Sequence, residues 1–312
     1  MLVIASPGQG AQKPGFLSPW LELDSVGSLV DTLSDASGID IRRHGTESDA
    51  DTIRDTAVAQ PLLVAASLIT HSVLFGSLTL PRPDLYAGHS VGEIGAAAQA
   101  GMLSEENAMR LVAVRSQAMA RAAAAEKTGM AAVVGGKREE VLAAIEQAGA
   151  SPANINGAAQ VVAAGDEASL AALSENPPAR ARVIPLQVAG AFHSRFMEPA
   201  RDELAEQAGK FATRDAIIPV VSNADGSLVT DGAAFLDSLV NQVASTVDWE
   251  ACMNSFAAQG VTGILELAPA GTLTGLAKRD LKQVARFDLN TPDDLDAARA
   301  FVSEHASASK ES

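Results

Sequence analysis

The segment Gly88-His89-Ser90-Val91-Gly92 places a serine between two glycines where the pattern of the chain changes. Before it, Asp84-Leu85-Tyr86-Ala87-Gly88 reads as a short buried strand. After it, Val91 to Ala100 reads as a helix of small and apolar residues. Gly-x-Ser-x-Gly at a sharp strand-to-helix turn pushes the serine hydroxyl clear of the sheet, and the flanking glycines let strand and helix pack closely. The amide of Val91 can then face an oxyanion, and the helix N-terminus adds a favourable dipole. A tight turn with a serine N-cap would use the same five residues. The strand before and the helix after favour a nucleophile.

A nucleophilic serine needs a base. Of the five histidines, His89 is adjacent to Ser90 and its side chain points elsewhere at such a turn. His44 lies in a charged, loop-like stretch, His71 on an apolar helix where a core role fits better, and His305 in the tail. Elimination leaves His193, in Gly190-Ala191-Phe192-His193-Ser194, between a predicted strand and a predicted helix. That is where an active-site loop belongs in an open α/β sheet. A helix-capping role would suit the same position.

The elements that must position this pair can be read along the chain. Leu2 to Ala5 is a candidate buried parallel strand, ending in the turn Pro7-Gly8-Gln9-Gly10. Pro61 to Leu74 is a strong helix within the most apolar stretch, Thr56 to Leu80. Gln60, Pro61 and His71 mark that stretch as a core helix, not a membrane span. Ser104 caps a helix expected to reach Ala125. From about Thr128 the order strand, helix, strand, strand, helix, strand predicts a small ferredoxin-like domain at 128–188. The expected fold is therefore α/β. A hydrolase-like core with a short parallel sheet and flanking helices spans 1–127 and 189–302, the small domain is inserted, and a frayed tail occupies 303–312.

Composition bounds the function. The formal net charge of −15 argues against a nucleic-acid binder, which needs a basic face, and against binding to anionic membranes. The single cysteine, Cys252, allows neither a disulfide framework nor a cysteine metal site and fits a reducing, cytoplasmic compartment. No basic segment followed by a long apolar run opens the chain, so no signal peptide is expected.

Seven separated motifs, in one order over about residues 1–285, resemble the malonyl-CoA:acyl carrier protein transacylases and the acyltransferase domains of fatty-acid and polyketide synthases. They are Pro7-Gly8-Gln9-Gly10-Ala11-Gln12, Gln60-Pro61-Leu62, Gly88-His89-Ser90-Val91-Gly92-Glu93, Arg115 with Met119, Asn154-Ile155-Asn156-Gly157, Gly190-Ala191-Phe192-His193-Ser194, and Pro269-Ala270-Gly271. The wording is most similar to stand-alone actinobacterial enzymes. The resemblance implies that Ser90 carries a malonyl group from malonyl-CoA to the phosphopantetheine thiol of acyl carrier protein, with His193 as base and CoA as leaving group. It implies an oxyanion hole made by the amides of Gln9 and Val91, and Arg115 paired with the malonyl carboxylate. Gln60, Met119 and Asn156 would line the pocket or the pantetheine channel. No metal or other cofactor is implied.

Arg115 stands among apolar residues in Leu111-Val112-Ala113-Val114-Arg115, and a buried carboxylate needs such a charged partner. An exposed arginine would read the same. In related domains Ala-Phe-His goes with malonyl and Tyr-Ala-Ser-His with methylmalonyl. Phe192 would thus crowd an α-methyl branch. Asp248 stands where relatives often carry a polar residue, and it either touches the imidazole or leaves that task to backbone carbonyls. The carrier protein is usually acidic in this family, so a local basic patch is expected, with Lys278, Arg279 and Lys282 as one candidate and a solvated helix face as the alternative. A serine hydrolase or thioesterase, and a non-catalytic carrier-binding module, are the competing readings. The first has no reason for an inward arginine, and the second no need of Ser90 and His193 together.

Overall fold

The computed structural model of the chain describes residues 1–76 and 80–307. Its strands are β1 (Leu2–Ser6), β2 (Leu85–Gly88), β3 (Thr128–Gly135), β4 (Ser151–Gly157), β5 (Gln160–Asp166), β6 (Ala181–Pro185), β7 (Val220–Val221), β8 (Leu228–Val229), β9 (Val247–Asp248), β10 (Gly263–Glu266) and β11 (Ala285–Asp288). They form two sheets in a mixed α/β architecture. The first has the order β11-β10-β1-β2-β7-β8, parallel except for β8. The second has the order β6-β3-β5-β4-β9.

The unbroken apolar run of β1 follows from burial on both faces. Leu2 and Ile4 pack into the larger core with the helices Thr56–Phe75 and Glu105–Ala125. Val3 and Ala5 pack on the other side with Trp249, Phe256 and Leu276. Helix Thr56–Phe75 is long and apolar enough to cross a membrane by length and composition, but 72% of its apolar window is buried inside the protein. The Ser104 hydroxyl accepts from the Asn107 amide at 3.1 Å and starts the helix Glu105–Ala125, as expected of a cap.

The second sheet holds the run β3, helix Arg138–Gln147, β4, β5, helix Glu167–Glu175 and β6, with β3, β4, β5 and β6 pairing antiparallel. It is not confined to 128–188. Two residues from much later, β9, extend it parallel to β4, and Thr246 Oγ1 donates to the Pro152 carbonyl beside them. Arg138, at the start of the helix Arg138–Gln147, adds a further tie to later residues, donating to the Gly157 carbonyl at 2.6 Å and pairing with Glu250 at 2.9 Å.

The frayed tail expected from 303 is corrected in part. Residues 303–305 belong to the helix Leu295–His305. The His305 ring lies 4.4 Å from that of Phe301, and its Nδ1 is bonded to Thr262 Oγ1 at 3.1 Å, which secures the last turn. Residues 308–312 of that expectation lie outside the described residues.

Close approach around the serine turn explains its glycines. A Cβ on Gly92 would stand 2.2 Å from the Ser6 carbonyl oxygen, and one on Gly88 would stand 2.0 Å from the carbonyl carbon of Gly92. These neighbours are backbone and cannot swing away. Gly92→Ala is expected to cost at least the roughly 1–3 kcal/mol of an overpacked core, seen as a lowered thermal midpoint. Gly27→Ala, facing open space at a helix start, should leave the midpoint unchanged or raise it.

Candidate active site

Ser90 sits between β2 and the helix Gly92–Gln99 with φ of +53°, a left-handed conformation rare for serine. The surroundings hold it there. The Ser90 amide donates to Asn223 Oδ1 at 2.8 Å, and Asn223 Nδ2 donates to the Gly88 carbonyl at 2.8 Å. Asn223 thus clamps both sides of the turn from the loop after β7.

His193 also has a positive φ, +57°, in the loop before the helix Glu198–Ala208. Its Nε2 lies 2.7 Å from Ser90 Oγ and its Nδ1 2.8 Å from the Gln242 carbonyl oxygen. A carbonyl can only accept, so Nδ1 carries the proton and the lone pair of Nε2 faces the serine hydroxyl. Burial and then the nearby Arg115 charge push the imidazole down to about 3, so it is neutral throughout the neutral range. No other histidine reaches Ser90. His71 is bonded to the Tyr86 hydroxyl, His44 to Ser48 and His305 to Thr262. His89 lines the cleft and bonds Asn156 Oδ1 through Nε2 at 2.9 Å.

Asp248 does not touch the imidazole. Its carboxylate accepts from the Ala251 amide at 2.8 Å and caps the helix Trp249–Ala258. The group behind the histidine is the Gln242 backbone, at the end of the helix Gly232–Gln242.

Arg115 is 1% exposed, which removes the alternative of an ordinary surface arginine. Its guanidinium donates to Gln60 Oε1 at 2.6 Å, to Gln242 Oε1 at 2.9 Å and to Ser90 Oγ at 3.2 Å. The serine oxygen thus accepts from the cation while its own proton is directed at His193. Burial pushes the guanidinium down to about 10, and Glu93 opposes that shift. At neutral pH it remains a cation.

Ser90 and His193 open onto a cleft of about 260 Å³ whose lining includes Gln9, Gln60, Met119, Asn156 and Phe192. One wall is a face of the second sheet, with Met130 and Ala132 from β3, Asn154 and Asn156 from β4, and Gln160 and Val162 from β5. Another is the helix Leu273–Asp280, through Leu273 and Leu276. Gln60 also meets the Met119 sulfur, at 3.4 Å. Among the described residues, the amides of Gln9 and Val91 donate to no protein acceptor. Val91 itself is buried, just ahead of the helix. Lys278, Arg279 and Lys282 are exposed, on or just after that helix.

Three residues of this arrangement were not singled out from sequence: Gln242, Asn223 and Glu93. Gln242 acts partly through its main chain, which carries no residue-type signal. Asn223 had a positional signal, since it follows a parallel strand of the first sheet. Glu93 was quoted only as part of a motif. It is 0% exposed and accepts from the Asn223 amide at 2.6 Å and from the Gln242 side-chain amide.

A family model described as acyl transferase domain matches residues 6–300. The malonyl CoA-acyl carrier protein transacylase of Mycobacterium tuberculosis is 47% identical over 297 residues, covering 95% of this chain and 98% of that protein. A crystal structure of MCAT from Mycobacterium tuberculosis superposes with a TM-score of 0.91 at 44% identity, over 97% of this chain and 99% of that one. A type II PKS acyl-carrier protein in complex with its malonyl-transacylase also matches, with a TM-score of 0.89 at 29% identity over 96% and 99%. With these matches spanning nearly its whole length, the chain belongs to the acyl transferase domain family, among the malonyl-CoA:acyl carrier protein transacylases of actinobacterial type.

Proposed function

We propose that the protein moves the malonyl group of malonyl-CoA to the phosphopantetheine thiol of an acyl carrier protein through a malonyl-Ser90 ester, supplying fatty-acid or polyketide synthesis. The observation that carries this reading is the buried Arg115 guanidinium 3.2 Å from the Ser90 hydroxyl. In malonyl the carboxylate stands one methylene from the carbon that serine attacks. A fixed cation beside the nucleophile therefore favours that acyl group and gives a plain acetyl group nothing. The names of the relatives and the carrier-protein complex support the same donor and acceptor.

Ser90 Oγ attacks the thioester carbonyl carbon and passes its proton to His193 Nε2. The amides of Gln9 and Val91 hold the tetrahedral oxyanion, and the loss of one such donor costs about 2.7–4 kcal/mol. Collapse breaks the carbon–sulfur bond, and CoA leaves as a thiol with the proton from His193. The carrier's thiol then gives its proton to His193 and attacks the ester. Collapse of that intermediate returns the proton to Ser90. These steps call on no metal or further cofactor. Gln60, Met119 and Asn156 shape the acyl and pantetheine path, and Phe192 narrows the site where an α-methyl branch would stand.

The parallel sheet with Ser90 at its strand-to-helix turn reads as a hydrolase-like core at 1–127 and 189–302. The run from β3 to β6 reads as a ferredoxin-like domain at 128–188, on the strength of its strand order β6-β3-β5-β4. A cytoplasmic location is supported by the lone buried thiol. Neither nucleic acid nor a membrane is a partner in this reading. Lys278, Arg279 and Lys282, beside a cleft wall, offer an acidic carrier protein an attractive edge on a chain of net charge −15.

Radiolabelled malonyl-CoA should leave one malonyl adduct on Ser90, visible by mass spectrometry and discharged by carrier protein faster than by water. Ser90→Ala should abolish it, Arg115→Ala should slow malonyl but not acetyl loading, and methylmalonyl-CoA should load more slowly. Discharge to water as fast as to carrier protein would turn the assignment to a hydrolase.

The depressed His193 sets a pH expectation. A general base works in its neutral form, so loading of Ser90 should stay level from pH 7 to 5 and not fall near 6.5, the ordinary histidine value. Asp248→Ala should give the same profile while lowering stability by about 1 kcal/mol through the lost cap. Charge reversal at Lys278, Arg279 and Lys282 should raise the KM for carrier protein severalfold and leave that for malonyl-CoA unchanged. An unchanged carrier KM would move the patch elsewhere.

A further inference from the structure

The reaction described above uses Arg115, Ser90 and His193 and leaves a buried carboxyl group beside them without a task. Glu93 is fully buried on the first turn of the helix after the nucleophile. Its carboxyl accepts twice, from the Asn223 main-chain amide and from the Gln242 side-chain amide. The same Gln242 side chain accepts from the Arg115 guanidinium at 2.9 Å through its oxygen. One amide therefore stands in line between a buried cation and a buried carboxyl, with its oxygen toward the cation and its N–H toward the acid. A buried guanidinium whose direct acceptors are neutral needs a counter-charge nearby, and Glu93 is the acidic group coupled to it.

We propose that Glu93 in its ionised form is the counter-ion of Arg115, linked to it through the Gln242 amide, and that an incoming malonyl carboxylate takes over this role and drives an ionised Glu93 to bind a proton from solvent. This rests on the malonyl reading of the site. The substrate carboxylate and Glu93 compete for one positive charge. By linkage, whatever favours the ionised form of Glu93 weakens the hold on malonyl, and malonyl binding favours the protonated form.

The surrounding groups leave Glu93 as the one that titrates near neutrality. Burial raises its carboxyl to about 8, against the pull of the Asn223 amide, Arg115 and Gln242. From the helix Glu105–Ala125 comes Arg115, which remains a cation. From the loop before Glu198 comes His193, neutral above about 3. From the helix Trp249–Ala258 comes Cys252, whose thiol burial pushes far up and keeps neutral. The helix Gly232–Gln242 and the loop after β7 contribute the uncharged Gln242 and Asn223. The helix Thr56–Phe75 brings Gln60, and its His71 is bonded away at Tyr86. Glu93 is thus neutral below about 8 and ionised above it in the unliganded protein. Affinity for the malonyl group should fall as pH rises through that value.

Isothermal titration calorimetry tests this on Ser90→Ala, which binds without turnover. Malonyl-CoA, acetyl-CoA and CoA are titrated from pH 7 to 9 in two buffers of different ionisation enthalpy. Malonyl-CoA should take up a fraction of a proton near pH 8 more than acetyl-CoA or CoA does. Its affinity should then weaken by up to about tenfold per pH unit above 8, the limit for one linked proton. Adding Glu93→Gln should remove both effects, because the amide cannot titrate. Equal uptake with all three ligands, or uptake that survives Glu93→Gln, overturns the counter-ion role. The comparison of ligands on Ser90→Ala decides the matter even if the double variant does not fold. Failure of malonyl-CoA to bind at all would overturn the malonyl reading itself, a result distinct from pH-independent binding.

Discussion

A guanidinium buried to 1% exposure is the constraint around which this site is arranged. A cation removed from water must be matched by acceptors placed before folding ends, or it costs several kcal/mol. Arg115 meets that demand with partners from three distant parts of the chain: Gln60 on the helix Thr56–Phe75, Gln242 at the end of the helix Gly232–Gln242, and Ser90 at the turn after β2. Satisfying the cation fixes the relative positions of the helices that bear the nucleophile, the pocket wall and the carbonyl behind the base. Burial foremost, and after it this neighbouring positive charge, keep the imidazole neutral.

Backbone geometry divides the remaining work. Ser90 and His193 both occupy the left-handed region, which side chains other than glycine rarely adopt. Both are pinned by hydrogen bonds from outside their own elements, Ser90 by Asn223 and His193 by Gln242. The orienting group behind the histidine is a main-chain carbonyl in place of a carboxylate. It fixes the tautomer without adding a negative charge that would hold the imidazole protonated.

Much of this was legible in the sequence because it rests on local rules. Glu105–Ala125 begins at the predicted Ser104 cap and ends where predicted. Ser90 and His193 were legible because a strand-to-helix turn and a post-strand loop leave marks in residue type. What stayed hidden depends on contacts between distant segments. Strands β8 and β9 have two residues each, too few to show a period. Asp248 read as a possible triad acid because an aspartate near a histidine and an aspartate at an N-cap look alike until the backbone is placed. Glu93 carried a faint signal, a lone acid among Gly92, Ile94, Gly95, Ala96 and Ala97, but its partners come from residues 223 and 242.

The short passage from Gln242 to Trp249 links three otherwise separate structures. It begins at the carbonyl that orients His193, lends Val247 and Asp248 to the edge of the second sheet beside β4, and ends in the cap of the next helix. This limits modularity. A chimera that exchanged only the contiguous run from β3 to β6 with a relative would present a foreign β4 to a native β9. Any mismatch would reach the histidine through a few residues of backbone. The heritable unit of this architecture is therefore the run from β3 to β6 together with its outlying strand β9, and recombination that keeps activity is expected to carry both.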